Sequence, residues 1–374
     1  MNAENVKKSK FRNPPAVDFE RTPLKVKLKS KLTSLFFLKK IVWIAFRLIL
    51  LIGIAFQVLK PYLQWLPESI MAPDDFIDVT VQIVPKNISF DMYKAVWHDL
   101  HYFEAFFNTL TLSVTVALLQ TFVCCFIAYG LAKFKFKGNK FVFLAVIFSL
   151  VIPHQTLRLS MQDYFANFDV LGIFQFLNGG GINLFGFSYT NDFLASIDII
   201  PDSWTVFAAG NGAGAYLLDT NWPLIILSLF GLAFKNGLYI FMLRQFFSGV
   251  PNELEESAYI DGSGIMKTFF TIILPLSVPM LITVFLFAFS WQWTDQFYTK
   301  LFTINTGSAD EKIRLLKDLK DVVPTSLSTL DTASYKTAAM HTGSLMIIAP
   351  LVVIYLFFQK YLVQGIERSG LTAD

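Results

Sequence analysis

Charge is scarce in this chain. Only 16% of its 374 residues are charged, whereas 54% are hydrophobic, and phenylalanine supplies most of the aromatic residues. Soluble globular domains carry about 25% charged residues, so this composition excludes a soluble protein of this length. The composition therefore predicts a protein that lies in a membrane.

Residues that carry chemistry are also few. Cys124 and Cys125 are adjacent, and neighbouring cysteines rarely reach disulfide geometry, so we interpret them as packing residues. His98-x-x-His101 beside Glu104 offers ligands for a metal ion, but no further motif lies nearby and we predict no metal site. No nucleophile with a neighbouring base and no pair of carboxylates in an apolar pocket stands out, so we predict that the chain is not an enzyme.

A phosphate-binding loop is missing too. The pattern Gly-x-x-x-x-Gly-Lys-Ser/Thr, whose backbone N–H groups cradle nucleotide phosphates, occurs nowhere in the sequence. If ATP drives this protein, another polypeptide binds it. The chain itself is predicted to hold no cofactor and to bind no nucleic acid.

Apolar residues gather in runs long enough to cross the hydrocarbon core of a bilayer, which takes about 20 residues of helix. Buried helices of a soluble domain would be shorter and fewer than these runs. The predicted fold is therefore all-α, a polytopic membrane protein with six transmembrane helices embedded in lipid. The predicted spans are 41–59, 106–132, 141–159, 222–243, 274–293 and 343–362.

Basic residues are distributed unevenly among the loops, which indicates the orientation of the spans because cytoplasmic loops are enriched in lysine and arginine. The arm before the first span and the turn over 133–140 are rich in lysine. The stretch 159–221 holds six aspartates and no lysine or arginine. Arm and turn are therefore predicted to be cytoplasmic, the aspartate-bearing loop external and both termini cytoplasmic.

An acidic, glycine-broken stretch separates the fourth and fifth predicted spans. A short helix is predicted to start at 248–251, where an early proline costs no hydrogen bond, and its glutamates complement the helix dipole. Asp261-Gly262 is predicted to end this helix, since glycine accepts the left-handed conformation of a tight reversal. A second helical stretch over 265–274 then leads to Pro275, which is predicted to begin the fifth span.

A charged helix between two spans is best interpreted as a docking surface for a soluble partner. Ser257 and Ala258 beside Gly262 are small and permit the close approach of another surface. An ordinary helical loop would not need small residues there. The residues predicted to couple the chain to its partner are Glu255, Glu256, Ser257, Ala258, Asp261, Gly262, Ile272, Leu274 and Pro275.

The spacing of this stretch, Glu-small-Ala, three residues, Gly, nine residues, then Ile-x-Leu-Pro, resembles the coupling loop (EAA motif) of bacterial ABC importer permeases. Further segments, spread over most of the chain, resemble the maltose-type sugar permeases, and among them the shorter of the two permease subunits of carbohydrate importers. Ser257 replaces the family's second alanine, and the family tends to have Trp-Asn-Asp at 293–295. The matching segments are Asn87-Ile88-Ser89-Phe90, Phe107-Asn108-Thr109-Leu110, 128–134, Ile152-Pro153, 243–247 and Trp293-Thr294-Asp295.

The resemblance implies the type I ABC importer permease fold and a complex with a second permease subunit, two ATP-binding subunits and an extracellular solute-binding protein. The chain would then be an oligosaccharide permease of the bacterial plasma (inner) membrane. An ABC permease for a non-sugar solute is one alternative. A stand-alone channel or secondary transporter is another, and it would predict internal repeats and charges within several spans.

Polar residues inside the predicted spans are candidates for the translocation pathway. Lys235 and Asn236 fall near the middle of the fourth predicted span, where a charge is costly unless it is paired or faces a wet cavity. They either line the pathway or a gate, or they form a structural ion pair or hydrogen bond with the companion permease. Gln120, near the middle of the second span, is a further candidate, although a single amide often only joins helices.

The predicted organisation has four parts. A basic cytoplasmic arm covers 1–40, and the first helix with an outer segment covers 41–104. A core of five helices covers 105–363, with the coupling loop at 244–275, and a cytoplasmic tail covers 364–374. Within the core, 174–220 is an external insertion where the family usually has a short connection. Its many apolar residues predict a compact lobe that helps to receive the binding protein, or else a lid against the companion permease.

Overall fold

A computed structural model of the chain describes residues 35–78, 80–81, 84–166, 168, 182–184, 187–189, 217–233, 235–303, 315–316, 323–327 and 333–368. The first 34 residues of the predicted arm, most of the insertion 174–220 and the tail from 369 lie outside the described residues. The contacts divide the chain into two compact units, Met1–Leu63 and Gln64–Asp374.

Helices make up nearly all of the described secondary structure, which confirms the all-α prediction. A short antiparallel hairpin, β1 Ile182–Leu184 and β2 Phe187–Tyr189, pairs Ile182 with Tyr189. Single 3₁₀ turns lie at Pro73–Phe76, His154–Leu157 and Thr325–Leu327. The α-helices are α1 Leu35–Glu68, α2 Asp91–Asp99, α3 Tyr102–Lys133, α4 Asn139–Val151, α5 Arg158–Ala166, α6 Trp222–Leu229, α7 Asn236–Gly249, α8 Glu253–Ile260, α9 Ile265–Thr294, α10 Phe297–Phe302 and α11 Ala333–Arg368.

Four helices of the described residues, α1, α3, α9 and α11, are long and apolar enough to cross a membrane. The predicted spans 41–59, 106–132, 274–293 and 343–362 each lie within one of them. Hydrophobic runs of this length are sufficient to place these helices from the sequence. The total of six spans stays a prediction.

The predicted span 141–159 is not one continuous helix, because α4 ends at Val151; whether the bent pair crosses the membrane as a broken span stays a prediction. The following segment, His154–Ala166, is bent from α4 by 89°. Ile152 has ψ 120°, an extended conformation. The ring of Pro153 disfavours the helical conformation in the residue before it, so the Ile152-Pro153 pair turns the chain.

The prediction of one helix over 222–243 is also wrong, because α6 ends at Leu229 and α7 begins at Asn236. Two residues between them have left-handed backbones, Gly231 with φ 71° and Lys235 with φ 70°. A residue in this conformation ends a helix instead of continuing it. Lys235 therefore precedes the first residue of α7 and does not lie in the middle of a helical span.

The core of the larger unit forms around α3, which packs against α7 and α9. Cys124 and Cys125 on α3 are buried in this core, with no more than 2% of either side chain exposed, and both thiols are free. This confirms their interpretation as packing residues. The backbone of α4 comes close to α7 at Gly237, where a Cβ atom would lie 2.9 Å from the carbonyl oxygen of Val146.

Helix α9 also packs against α11. Gly365 lies so close to Thr283 that an added Cβ atom would be only 2.6 Å from the Thr283 Cβ atom. The Thr283 hydroxyl donates a hydrogen bond to the carbonyl of Tyr361 at 2.8 Å. A residue without a side chain is thus required at this crossing.

Pro275 lies in the first turn of the main α-helical part of α9, Leu274–Thr294, but this part does not start a separate helix. Helix α9 runs without interruption from Ile265 to Thr294, and the five residues before its main α-helical part, Phe269–Ile273, form a π turn. A proline inside an α-helix loses a hydrogen bond and clashes with the carbonyl four residues earlier. A π turn changes the hydrogen-bond pattern at this position, which allows the helix to pass through Pro275.

Candidate functional site

The acidic stretch between the fourth and fifth predicted spans forms a separate short helix, α8. This helix begins at Glu253 with Asn252 as its preceding residue, not at 248–251 as predicted. Ser248 and Gly249 still belong to α7, and Val250 is extended with ψ 124°. Pro251 explains the difference, because it disfavours a helical conformation at Val250.

The end of α8 agrees with the prediction that Asp261-Gly262 stops the helix. Gly262 has φ 83°. Its N–H donates to the carbonyl of Tyr259 at 3.1 Å, and the N–H of Ser263 donates to the carbonyl of Ala258 at 2.9 Å. These two bonds form a Schellman motif, which uses a left-handed residue to satisfy the last carbonyls of a helix.

Glu255 attaches α8 to the end of α3. Its carboxylate accepts a hydrogen bond from the Tyr129 hydroxyl at 3.1 Å, and the Lys133 Nζ atom lies 3.7 Å from its other oxygen. Lys133 also donates to the carbonyl of Val250 at 2.8 Å and to the side-chain oxygen of Asn252 at 2.9 Å. The side chains of Lys133 and Glu255 are only 6% and 9% exposed. We call Tyr129, Lys133 and Glu255 the anchor.

The predicted coupling residues therefore divide between two faces of α8. Glu255 and Ala258, three residues apart, are buried and face the rest of the chain. The opposite face is exposed and carries two carboxylates, one small residue and one apolar residue. These residues, Glu253, Glu256, Ser257 and Ile260, share one side of the helix at a spacing of three or four residues, and we call them the outer stripe.

Exposed apolar side chains around α8 were missed by reasoning from the sequence. Ile260 is 86% exposed, and Leu254, Ile265 and Met266 are also exposed. Single exposed apolar residues are ordinary on a protein surface, but here four lie within thirteen residues, two on α8 and two at the start of α9. In the sequence, these side chains could have been recognised as apolar residues inside an otherwise acidic loop.

The remaining predicted coupling residues lie elsewhere. Asp261 and Gly262 are exposed at the end of α8. Ile272 and Leu274 are half-buried, and Pro275 is exposed, at the π turn and the first α-helical turn of α9. The structure thus brings Glu256, Ser257, Asp261 and Gly262 together on one exposed surface and leaves Ile272, Leu274 and Pro275 on a different helix.

A second polar region lies at the other end of α9. A small pocket is lined by residues of α3, α6 and α9, of the segment between α6 and α7, and of the chain beyond α9. Gln120 is one of them and is only 4% exposed. The pocket is lined by Gln120, Leu224, Leu227, Ser228, Ala233, Ala288, Trp291, Gln292, Asp295 and Tyr298.

Lys235 and Asn236, the other two predicted pathway residues, lie at the start of α7. The Lys235 ammonium lies 4.9 Å from the centre of the Trp291 ring, a cation–π contact at the edge of the pocket. Asn236 is buried, and its carbonyl oxygen accepts a weak hydrogen bond from the Cys124 thiol at 3.8 Å. Lys235 therefore meets the pocket through Trp291, whereas Asn236 does not line it.

Trp291 and Gln292 are pocket residues that were missed in the sequence. They directly precede the Trp293-Thr294-Asp295 segment, and Asp295 also lines the pocket. Gln292 lies at the end of the fifth predicted span, where a single amide is easily interpreted as a residue that joins helices. In the sequence, Gln120 and Gln292 each place a polar side chain in a different predicted span, and this could have indicated that both belong to one polar region.

Comparison with protein-family models finds one match. Residues 120–368 match the model described as "Binding-protein-dependent transport system inner membrane component". The matched range includes the anchor, α8 and every residue that lines the pocket.

Several characterised proteins are similar over most of the chain. The galactooligosaccharides transport system permease protein of Bacillus subtilis is 24% identical over 89% of this chain and 96% of its own length. The arabinooligosaccharides transport system permease protein of the same organism is 25% identical over 79% of this chain and 83% of its own. The Bacillus subtilis polygalacturonan/rhamnogalacturonan permease protein is 24% identical over 82% of this chain and 89% of its own.

A solved structure shares the fold. It is described as a bacterial ABC transporter involved in the import of the acidic polysaccharide alginate, and one of its chains superposes with a TM-score of 0.61 at 20% identity. The match covers 86% of this chain and 97% of that chain. The likeness at this identity is one of fold, and it agrees with the predicted ABC importer permease architecture.

Proposed function

The chain belongs to the binding-protein-dependent transport system inner membrane components, and from this premise we propose that it is the shorter permease subunit of an ATP-driven importer of oligosaccharides. The family and the apolar helices make it a multi-pass membrane permease. Family membership favours this function over a stand-alone channel or secondary transporter.

The observation that carries the proposal is the two-faced helix α8. Its buried face is held to α3 by a carboxylate, a tyrosine and a lysine, so the helix cannot turn freely. Its outer stripe and the neighbouring apolar residues, of which Ile260 is 86% exposed, face away from the chain. A rigid helix with an exposed acidic and apolar face is suited to dock into a cleft of a motor subunit and to carry its movement into α3 and α9.

Oligosaccharides are the substrate class supported by the relatives. Permeases named for galactooligosaccharides, arabinooligosaccharides and polygalacturonan are similar to this chain over most of their length. Their substrates differ in sugar and in charge, so the class is proposed and not the individual sugar. A permease for a non-sugar solute is the alternative, and none of these three relatives favours it.

The partners follow from the family. We propose one different permease subunit, two ATP-binding subunits and an extracellular solute-binding protein. The chain is proposed to perform no chemistry, with ATP bound and hydrolysed by its partners. The domain division into a basic arm, a first helix with an outer segment, a permease core and a tail belongs to the same proposal, as does a role of the insertion 174–220 in receiving the binding protein.

Orientation is also part of the proposal, with the lysine-rich turn before α4, α8 and both termini in the cytoplasm. Lys137 in that turn and Lys94 on α2 are both exposed, and the native cysteines are buried. In intact spheroplasts, an impermeant thiol reagent should label Lys94→Cys and spare Lys137→Cys until the membrane is permeabilised. The opposite pattern would reverse the orientation.

Reconstitution tests the function as a whole. The chain, its companion permease and the ATP-binding subunits are placed in liposomes with the loaded binding protein, and uptake of labelled neutral and acidic oligosaccharides is measured. Uptake should require ATP and the binding protein, and Ile260→Asp should abolish it while the permease pair stays assembled. Uptake without ATP, driven by an ion gradient, would contradict the proposal.

A further inference from the structure

Tyr129, near the C-terminal end of α3, contacts α8 and α9 at the same time. Its hydroxyl donates to the Glu255 carboxylate on α8 at 3.1 Å. Its ring lies against the ring of Phe269 on α9, with 4.7 Å between the ring centres. Tyr129 and Phe269 are 4% and 1% exposed, so the contact between them is buried. A displacement of α8 therefore reaches α9 through this side chain as well as through the turn that connects the two helices.

Phe269 is held by two aromatic rings of α3. The Phe126 ring, about one helical turn before Tyr129, has its centre 5.2 Å from that of Phe269. Aromatic pairs at such distances stabilise a structure beyond the area that they bury. Tyr129 itself also contacts Phe247 of α7, at 5.6 Å between the ring centres. The ring of Tyr129 thus keeps Phe269 in one position against α3.

Phe269 is also the first residue of the π turn in α9, Phe269–Ile273. Such turns occur mostly as single turns inside α-helices and frequently at functional sites. The residues on both sides are α-helical, so the turn can shift by one residue towards the start of α9 without unfolding the helix. An element with two arrangements is what the transmission of a movement requires.

Thr268, directly before the π turn, has a buried hydroxyl without a partner in the described chain. Threonine hydroxyls inside helices can donate to the carbonyl four residues earlier, as the Thr271 hydroxyl does to Lys267 at 2.7 Å. A buried donor without a partner is destabilising. A shift of the π turn towards Thr268 changes which carbonyls lie near this hydroxyl, so the present arrangement carries a cost that another one can remove.

We propose that Tyr129 is a positioning residue that transmits the movement of α8 to the π turn of α9. While its hydroxyl binds Glu255, its ring clamps Phe269 and holds the turn in the present arrangement. When a motor subunit moves α8 away from α3, the hydroxyl follows Glu255, the ring leaves Phe269 and the turn shifts. The inference rests on the proposed function, since it presumes that an ATP-driven subunit moves α8.

Lys133 allows the transmission to be separated from the attachment of α8. Its ammonium contacts Glu255 at 3.7 Å and donates to the Val250 carbonyl at 2.8 Å and to the Asn252 side chain at 2.9 Å. Tyr129→Phe removes none of these contacts and keeps the ring beside Phe269. This variant therefore loses the link between the ring and α8 while α8 stays attached to α3.

The experiment compares matched variants in the complete transporter. Tyr102→Phe is the control for Tyr129→Phe, because the Tyr102 hydroxyl donates to the Met346 carbonyl at 2.9 Å at the other end of α3. Phe289→Leu is the control for Phe269→Leu, since Phe289 is a buried residue of the same helix. In liposomes with the loaded binding protein, ATP hydrolysis is measured together with uptake of whichever of maltotriose, galactobiose, arabinotriose or digalacturonate the wild type transports.

Tyr129→Phe and Phe269→Leu should each transport about two- to tenfold less sugar per ATP hydrolysed, the effect of losing about one hydrogen bond or one ring contact. Both controls should keep the wild-type ratio. A merely structural role lowers uptake and hydrolysis by the same factor, so an unchanged ratio in Tyr129→Phe would overturn the transmission. Loss of assembly in Tyr129→Phe, with Tyr102→Phe intact, would overturn it too.

Hydrogen exchange of the amides in Phe269–Ile273 tests the turn itself without any sugar. Trapping the wild-type complex with ATP and vanadate should change their exchange rates about tenfold, and this change should be reduced in Tyr129→Phe and kept in Tyr102→Phe. No change in the wild type, or the same change in Tyr129→Phe, would contradict the proposed role of Tyr129 while the proposed function stands. If the wild type shows no ATP-dependent uptake of any of these sugars, the proposed function fails and the inference with it.

Discussion

Three buried side chains near the two ends of α9, Glu255 at one end and Gln120 and Gln292 at the other, differ in how far their hydrogen bonds are satisfied. At the end next to α8, the buried Glu255 carboxylate is held by Tyr129 and Lys133. At the other end, the buried amides of Gln120 and Gln292 each leave one atom without a partner in the described chain. The first arrangement fixes one helix on another. The second leaves the hydrogen bonding of two buried amides incomplete.

This difference predicts opposite signs for the same kind of substitution. Replacing a paired buried group with an apolar one leaves its partners unsatisfied and destabilises the protein, whereas replacing an unpaired buried group removes a cost. Sites built for function are often less stable than the same site filled for packing. The free energy of unfolding can therefore tell the two ends apart before any ligand is known.

The largest loss of stability is expected at the crossing of α9 and α11. In Gly365→Ala, the new Cβ atom would meet Thr283 at 2.6 Å or less, and α11 must move away from α9. Overpacking of this kind costs about 1–3 kcal/mol and sometimes more. The variant should show a clear loss of thermal stability in detergent. Gly53→Ala should not, because no side chain of the described residues lies within 4 Å of its added Cβ. Equal stability of the two variants would contradict the tight crossing.

The next largest loss of stability is expected at the anchor. Glu255→Met should lower the free energy of unfolding by about 1–3 kcal/mol, because Lys133 and the Tyr129 hydroxyl lose their carboxylate in a buried position. Glu256→Met changes the neighbouring, exposed glutamate and should stay within about 0.5 kcal/mol of wild type. Denaturant or thermal unfolding of the two proteins under identical conditions gives the comparison. A larger loss for Glu256→Met would mean that the two faces of α8 are assigned the wrong way round.

Substitutions at the pocket are expected to raise the stability of the protein, whereas those at the anchor lower it. Gln120→Met and Gln292→Met keep similar volume and remove the unpaired atom, so each should raise the stability of the sugar-free protein by about 0.5–2 kcal/mol. The melting temperature without sugar is the measurement. A fall in stability for both variants would show that the amides hold the helices together, as a single amide between spans often does.

The turn after α8 is expected to affect the coupling of transport more than the stability of the fold. At Gly262, with φ 83°, valine is strained by about 1–2 kcal/mol because of its Cβ atom. Asparagine tolerates this conformation better, and no atom of the described residues lies within 4 Å of a Cβ added at Gly262, its chain neighbours aside. Gly262→Val should uncouple ATP hydrolysis from uptake, and Gly262→Asn should retain more coupling. If both variants fail equally, bulk at the docking surface matters and the turn does not.

Much of the fold could be predicted from apolar runs alone. The cores of α1, α3, α9 and α11 lie where long runs predict them, and the glycine that ends α8 is recognisable by its position after an acidic helix. The bend after α4 was also accessible, since a residue before proline disfavours helix. The break between α6 and α7 was not. It depends on left-handed backbones at Gly231 and Lys235, and neither a single glycine nor a single lysine in an apolar run specifies such a backbone.

The sequence predicts which residue types form the candidate site, but it does not predict which of their side chains are buried and which are exposed. Three glutamates close together predict an acidic helix, yet only the fold decides that Glu255 is buried while Glu253 and Glu256 are exposed. The partner of Glu255, Lys133, lies 122 residues earlier in the sequence and belongs to another helix. Gln292 carries no local signal, because its meaning comes from Gln120 on a neighbouring helix.

The central claim is that the outer stripe of α8 contacts an ATP-binding subunit. The most direct test is photo-cross-linking in membranes that contain the complete transporter, with p-benzoylphenylalanine in place of Ile260 and, as a control, in place of Phe107, which is exposed near the opposite end of α3. Ile260→p-benzoylphenylalanine should give an adduct with the ATP-binding subunit, and Phe107→p-benzoylphenylalanine should give none. An adduct from the Phe107 position, or none from the Ile260 position in an assembled complex, would contradict the claim.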